Sequence, residues 1–128
     1  MITKLLRRIY KEKIAIDAER ISVLRGAVGE QRTREIVEEV VFHMMERIDL
    51  LDRAIDAGDA VEACALAKRM AAMSEELGLV DVTRVAGDLN LCVGRGDRTA
   101  AAAVSARLGR LSDSSIVHLI NYADRTAL

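Results

Sequence analysis

The stretch from Asp59 to Leu79 constrains the fold more than any other part of the chain. Its apolar residues recur at alternating steps of three and four, the period of one side of an α-helix: Ala63, Leu66, Met70, Met73 and Leu77. Gly78 suits the left-handed position that ends a helix, and a second periodic run opens at Val80. Two helices joined by so short a turn must lie antiparallel. The stretch therefore predicts a helical hairpin whose apolar stripe faces a core.

The opposite side of the same predicted helix is small and nearly flat around one lysine. Cys64, Lys68, Ala71 and Glu75 recur there at i, i+4, i+7 and i+11. Ala72 lies beside them, and Arg69 follows the lysine. Alanine side chains let the backbone of another protein approach closely. We therefore predict a partner-binding face made of Cys64, Lys68, Arg69, Ala71, Ala72 and Glu75.

The size and composition of the chain favour a single all-α domain. With 128 residues, the chain can bury one hydrophobic core but is too short to be expected to hold two. It contains no proline, and only 2% of its residues are aromatic, whereas strong helix formers are abundant. We expect an antiparallel up-down four-helix bundle with short additional helices at both ends.

Turn and cap residues divide the chain into helices. Asp17 is a candidate N-cap for a short helix that ends at Gly29, and the longest helix follows over residues 31–57. Further helices are predicted over residues 81–93 and 100–111. We expect Ser112, Asp113 and Ser114 to end this helix and to cap a last helix, which turns Ile120 inward. The predicted buried seam of the longest helix consists of Val37, Val41, Met44, Ile48, Leu51 and Ile55.

Charge is balanced overall but not along the chain. Nineteen basic and 20 acidic residues leave a net charge of -1, which gives no reason to expect a nucleic-acid partner. Residues 1–13 carry a net charge of +4, on one side of an amphipathic pattern. Such a short, weakly apolar segment binds lipid poorly alone, so we expect it to contact the bundle or a second copy in a homodimer. The domains are then the basic segment 1–13 and the bundle 14–128.

The cysteines and the absence of known site motifs limit the chemistry. Cys64 and Cys92 both fall within helical runs, and no secretory signal or long apolar span is present, so we expect a cytoplasmic protein. No metal-ligand spacing occurs. Gly94-Arg95-Gly96 lacks the strand before it and the phosphate-loop continuation after it. We expect no cofactor, no metal and no enzymatic activity.

From about Ile16 to Ile120 the chain resembles the histidine phosphotransfer (HPt) domain of multistep phosphorelays. The family signature reads Ala-His-x-Leu-Lys-Gly, followed by small residues and Leu-Gly. The matching run here is Ala67-Lys68-Arg69-Met70-Ala71-Ala72, with Ser74 as a small residue and Leu77-Gly78 at its end. The resemblance implies a signalling module whose partner is the receiver domain of a response regulator or of a hybrid kinase, or a kinase domain.

The match departs from the family at the residues that carry its chemistry. Lys68 stands at the position of the phosphoacceptor histidine, Ala71 at that of a lysine beside the phosphoryl group, and Ala72 at that of a glycine. A relay needs a neutral imidazole nitrogen, whereas an exposed lysine at pH 7 is an ammonium without a lone pair. The resemblance therefore implies partner binding without phosphotransfer, with the Lys68 ammonium directed at the acidic pocket of a receiver. A plain solvated lysine is the competing interpretation.

Two other functions stay open from the sequence. The chain contains two histidines, His43 and His118, and an active phosphotransferase would have to use one of them, although neither fits the family motif. A structural or oligomerising bundle without a signalling partner is the third alternative. The basic N-terminal segment and the outward Leu91 favour it.

Overall fold

Aspartates and glycines set the helix boundaries in the computed structural model, which describes residues 15–126. The helices of this part are α1 (Ala18–Asp56), α2 (Ala60–Glu76), α3 (Val80–Gly94) and α4 (Arg98–Thr126). The carboxylates of Asp17, Asp59 and Asp97 accept hydrogen bonds from backbone N–H groups of the first turns of α1, α2 and α4. Gly58, Gly78 and Gly96 have positive φ angles in the turns between helices.

The helices form an antiparallel four-helix bundle. Each helix contacts its neighbours in the chain, and α4 closes the ring against α1, so that α1 lies diagonally across from α3. The connecting turns are only three residues long, which leaves successive helices antiparallel. This architecture confirms the predicted all-α bundle. Within the described residues, none of the helices has the length and apolar character needed to cross a membrane.

Gly29 interrupts α1 near its N-terminal end. Its φ of 83° and ψ of 171° are not helical, although the residues on both sides are. This confirms the predicted short helix after Asp17 and the longer helix that follows. The hydroxyl of the buried Thr33 donates a hydrogen bond of 2.6 Å to the carbonyl of Gly29, which fixes the start of the longer part.

The segment before α1 is bound to the turn between α2 and α3. The backbone N–H of Asp17 donates to the carbonyl of Gly78 at 2.8 Å, and Ile16 forms an isolated antiparallel bridge with Leu79. The N–H of Ala15 donates to the carboxylate of Asp81 at 2.9 Å. The predicted segment 1–13 lies outside the described residues.

The core follows the predicted seams but is wider than they suggest. On α1, Val37, Met44 and Leu51 are buried, while Val41, Ile48 and Ile55 are only partly so. Val40 and Ala54 are also buried, because α1 contacts both α2 and α4 and therefore buries a broad stripe.

The predicted break at Ser112-Asp113-Ser114 is wrong, because α4 runs continuously from Arg98 to Thr126. Ser112 and Ser114 are buried, and Leu111 and Ile116 on either side of them belong to the core. Serine is only a few tenths of a kcal/mol worse than good helix formers, so burial of the flanking residues overrides its preference for caps. Ile120 is not inward as predicted but 42% exposed, since it lies about 100° around the helix from the buried Leu119.

Candidate docking face on helix α2

The inward side of α2 is densely occupied by small and medium-sized residues. Ala63, Leu66, Met70 and Leu77 are buried as predicted, whereas Met73 is only half-buried. Ala67 and Ser74 are completely buried as well, and the apolar pattern did not identify them. Both lie toward α3, where short side chains allow the two helices to approach closely. A small side chain carries little hydrophobic signal, which is why periodicity alone missed these positions.

The predicted face lies on the outward side of α2, with Lys68 at its centre. Lys68 is exposed and lies about 160° around the helix from the fully buried Met70. Cys64, Ala72 and Glu75 lie within about 40° of Lys68 on the helical wheel, and Ala71 within about 60°. Cys64 and Ala71 are half-buried, and Ala72 and Glu75 are exposed.

Arg69 is exposed but belongs to the edge of this face. It lies about 100° from Lys68, on the same side as the flank of α2 that meets α1. Arg47 of α1 marks that flank, because its guanidinium lies 3.2 Å from the sulfur of Met73. The structure therefore brings together five of the six predicted residues, while Arg69 lies at the edge of this face toward α1.

The ammonium of Lys68 is available to a partner. Ion pairs join Arg32 with Glu35 and Glu39, Arg53 with Asp49, and Arg84 with Asp81, and among the side chains described over residues 15–121 no residue of α2 takes part in an ion pair. The side chain of Lys68 has no hydrogen-bond partner among these residues either. A partner carboxylate would consequently meet a charge that is not already neutralised, without having to break an intramolecular pair.

The exposed surface continues from α2 onto α3. Thr83 contacts α2 through a hydrogen bond of 2.8 Å between its hydroxyl and that of Ser74. Gly87 and Leu91 follow at steps of four along α3, both are exposed, and a Cβ added at Gly87 would meet nothing within 4 Å. Leu91 is 57% exposed. Sequence reasoning identified Leu91 as outward but did not connect it with α2; the spacing Thr83, Gly87, Leu91 is the signal that could have done so.

Neither histidine belongs to α2. His43 is exposed on α1, and its ring packs edge-on against Phe42 with 5.7 Å between ring centroids. His118 is half-buried on α4, and its Nδ1–H donates to the carbonyl of Ser114 at 2.8 Å. Because α4 does not contact α2, His118 cannot belong to the Lys68 face.

Comparison with known proteins identifies the fold. No protein-family model matches the chain, and a search of curated proteins gives no match. Among solved structures, the chain is similar to the crystal structure of histidine-containing phosphotransfer protein B (HptB) from Pseudomonas aeruginosa PAO1. The sequence identity is 21%, the TM-score is 0.81, and the match covers 87% of this chain and 96% of HptB. The antiparallel bundle described above is therefore an HPt-like fold.

Proposed function

We propose that the chain is an HPt-like signalling module that binds the receiver domain of a response regulator or hybrid kinase without accepting phosphate. The exposed ammonium of Lys68, at the centre of the outward face of α2 and without an ion-pair partner among the described side chains, carries this proposal. The HPt-like fold supports a role in a phosphorelay, because the name of HptB describes a phosphotransfer protein.

The chemistry of Lys68 argues against phosphotransfer at this position. Attack on an aspartyl phosphate requires a lone pair, and an exposed ammonium at neutral pH has none. The half-buried Ala71 and the exposed Ala72 provide no second cation beside Lys68 to stabilise a phosphoryl group. The small side chains of these two residues instead leave the surface around the lysine nearly flat.

The same residues suit an acidic partner. An ammonium that enters a pocket of carboxylates is favoured by charge complementarity, and the low alanine surface lets the pocket approach it. Glu75 and Arg69 lie at the border of the contact. We expect such border charges to affect the rate of association and the choice of partner more than the final affinity.

A binding titration tests this proposal. Purified receiver domains from the source organism are titrated into the full chain, and the dissociation constant is compared for wild type, Lys68→Glu and Arg110→Glu. Arg110 is a matched control because it is an exposed cation on α4, which does not contact α2. We expect Lys68→Glu to weaken binding by about tenfold or more, as for loss of a charge-assisted contact, and Arg110→Glu to have little effect. Equal affinities for all three proteins would contradict the docking role of Lys68.

Incubation with a phosphorylated receiver tests the second half of the proposal. We expect the wild-type chain to acquire no acid-labile phosphoryl label. Label that disappears in His43→Ala or His118→Ala would instead support an active phosphotransferase. If no receiver binds, the interpretation as a structural bundle gains support.

A further inference from the structure

A single residue, Gly29, interrupts the helical geometry of α1. Regular helix precedes and follows it, but its φ of 83° and ψ of 171° lie in a region that is nearly restricted to glycine. A Cβ added there would meet nothing within 4 Å, so no neighbouring side chain requires a glycine. Rotation of one φ/ψ pair to helical values would make α1 a continuous helix of 39 residues.

Residues 15–28, which precede Gly29, form a segment that we call the arm. The contacts described for its first residues are with one short stretch, the turn from Gly78 to Asp81. They comprise the bond of the Asp17 N–H to Gly78, the bridge of Ile16 with Leu79, and the bond of the Ala15 N–H to the Asp81 carboxylate. Ile21 of the arm is 1% exposed. Every copy of the chain carries the same turn, so a second copy can supply identical contacts.

We infer that the arm is exchanged between two copies of the chain when Gly29 becomes helical. Each arm then binds the α2–α3 turn of the other copy, and the contacts of the closed monomer are made between chains. Continuous helix adds backbone hydrogen bonds across residue 29, where the first N–H groups of a new helix otherwise have no acceptor within the helix. Association opposes the exchange through lost translational and rotational freedom, so the dimer fraction rises with protein concentration. Exchange of an identical element is a low-cost route to a dimer.

A pair of glycine substitutions tests the inference in the full chain. Alanine at position 29 disfavours the observed φ, whereas alanine at position 26 does not, because Gly26 has no positive φ angle and also has open space around it. We expect Gly29→Ala to raise the dimer association constant by about tenfold or more, given the usual strain of a non-glycine residue in this region. We expect Gly26→Ala to remain like wild type. Light scattering after size-exclusion chromatography measures both.

A disulfide shows whether the dimer forms by exchange. Ile16→Cys and Leu79→Cys are introduced with Cys64→Ser and Cys92→Ser, because paired residues of an antiparallel bridge have a Cα separation that suits a disulfide. In the closed monomer the bond forms within one chain. In the exchanged dimer it joins two chains, and a denaturing gel without reductant shows a covalent dimer that peptide mapping assigns to positions 16 and 79.

The expected result is a covalent dimer that is abundant with Gly29→Ala and scarce with Gly26→Ala. A folded Gly29→Ala chain that carries the disulfide within one monomer would overturn the inference. If Gly29→Ala does not fold, the Ile16→Cys and Leu79→Cys variant without the native cysteines, and with native Gly29, is oxidised over a range of protein concentrations. A dimer linked through positions 16 and 79 that grows with concentration supports exchange, and its absence at every concentration rejects it.

Discussion

The hydroxyl groups of Ser74 and Thr83 lie 2.8 Å apart and join α2 to α3 through a hydrogen bond. Each hydroxyl also contacts a backbone carbonyl of the chain, Ser74 that of Ala71 and Thr83 that of Leu79. Ser74 is fully buried. The pair therefore fixes how α2 and α3 lie against each other, beside the face that carries Lys68.

We predict that Ser74→Ala and Thr83→Val each lower the free energy of unfolding by about 1 kcal/mol, the net contribution of a typical hydrogen bond. The double variant should lose less than the sum, because the second substitution removes a partner that is already absent. Urea unfolding followed by far-ultraviolet circular dichroism measures these values. Strict additivity would show that the two hydroxyls do not interact.

Gly78 should tolerate alanine less well than Gly96. Both residues have φ angles near 70°, but a Cβ at Gly78 would lie 2.5 Å from the carbonyl oxygen of Asp17, whereas one at Gly96 would meet nothing within 4 Å. We expect a loss of about 1 kcal/mol for Gly96→Ala from the backbone alone and about 3 kcal/mol for Gly78→Ala. Equal losses in urea unfolding would mean that the segment before α1 does not lie against the α2–α3 turn.

Stability should depend on pH through Asp113. The residue is exposed as a whole, but desolvation of its carboxyl group raises the pKa of Asp113 above its ordinary value of 3.8. A raised carboxyl pKa means that the folded state favours the protonated form, so its contribution to stability is present below the unfolded pKa and lost as the pH rises through the folded one. Asp113→Asn should therefore raise the melting temperature more at pH 7 than near pH 3. Asp88→Asn, at an exposed position on α3, is the control. A change that is the same at both pH values would be inconsistent with this explanation.

Restoring the imidazole should restore chemistry if the lysine is what prevents it. We expect Lys68→His combined with Ala71→Lys to acquire acid-labile label from a phosphorylated receiver, because the outward face already exposes position 68. Wild type and Ala71→Lys alone should stay unlabelled. Failure of the double variant to take up label, while it still binds the receiver, would indicate that more than these two residues prevents transfer.

Local chemical signals made most of the fold predictable. Asp17, Asp59 and the turn glycines act through their own backbone and side-chain geometry, so the sequence alone could locate the helix ends they set. The break expected at Ser112 failed because the preference of serine is weak and the burial of Leu111 and Ile116 is stronger. The bridge between Ile16 and Leu79 was not predictable, since it joins backbones far apart in sequence and leaves no side-chain pattern.

The candidate site, like the fold, was predictable from the sequence only in part. The outward position of Lys68 follows from the period of α2, because a buried Met70 two residues later turns position 68 to solvent. The surface on α3 formed by Gly87 and Leu91 depends on how the two helices pair. That pairing is fixed by the small buried residues Ala67 and Ser74. The periodicity of hydrophobic residues does not reveal these two positions.

Amide chemical shifts of the isotope-labelled full chain, recorded during titration with a receiver domain, test the central claim most directly. The account predicts that the largest changes fall on residues 64–75 of α2 and extend to Gly87 and Leu91 of α3. Changes centred on His43 of α1 or on α4, or a spectrum that no receiver perturbs, would contradict it.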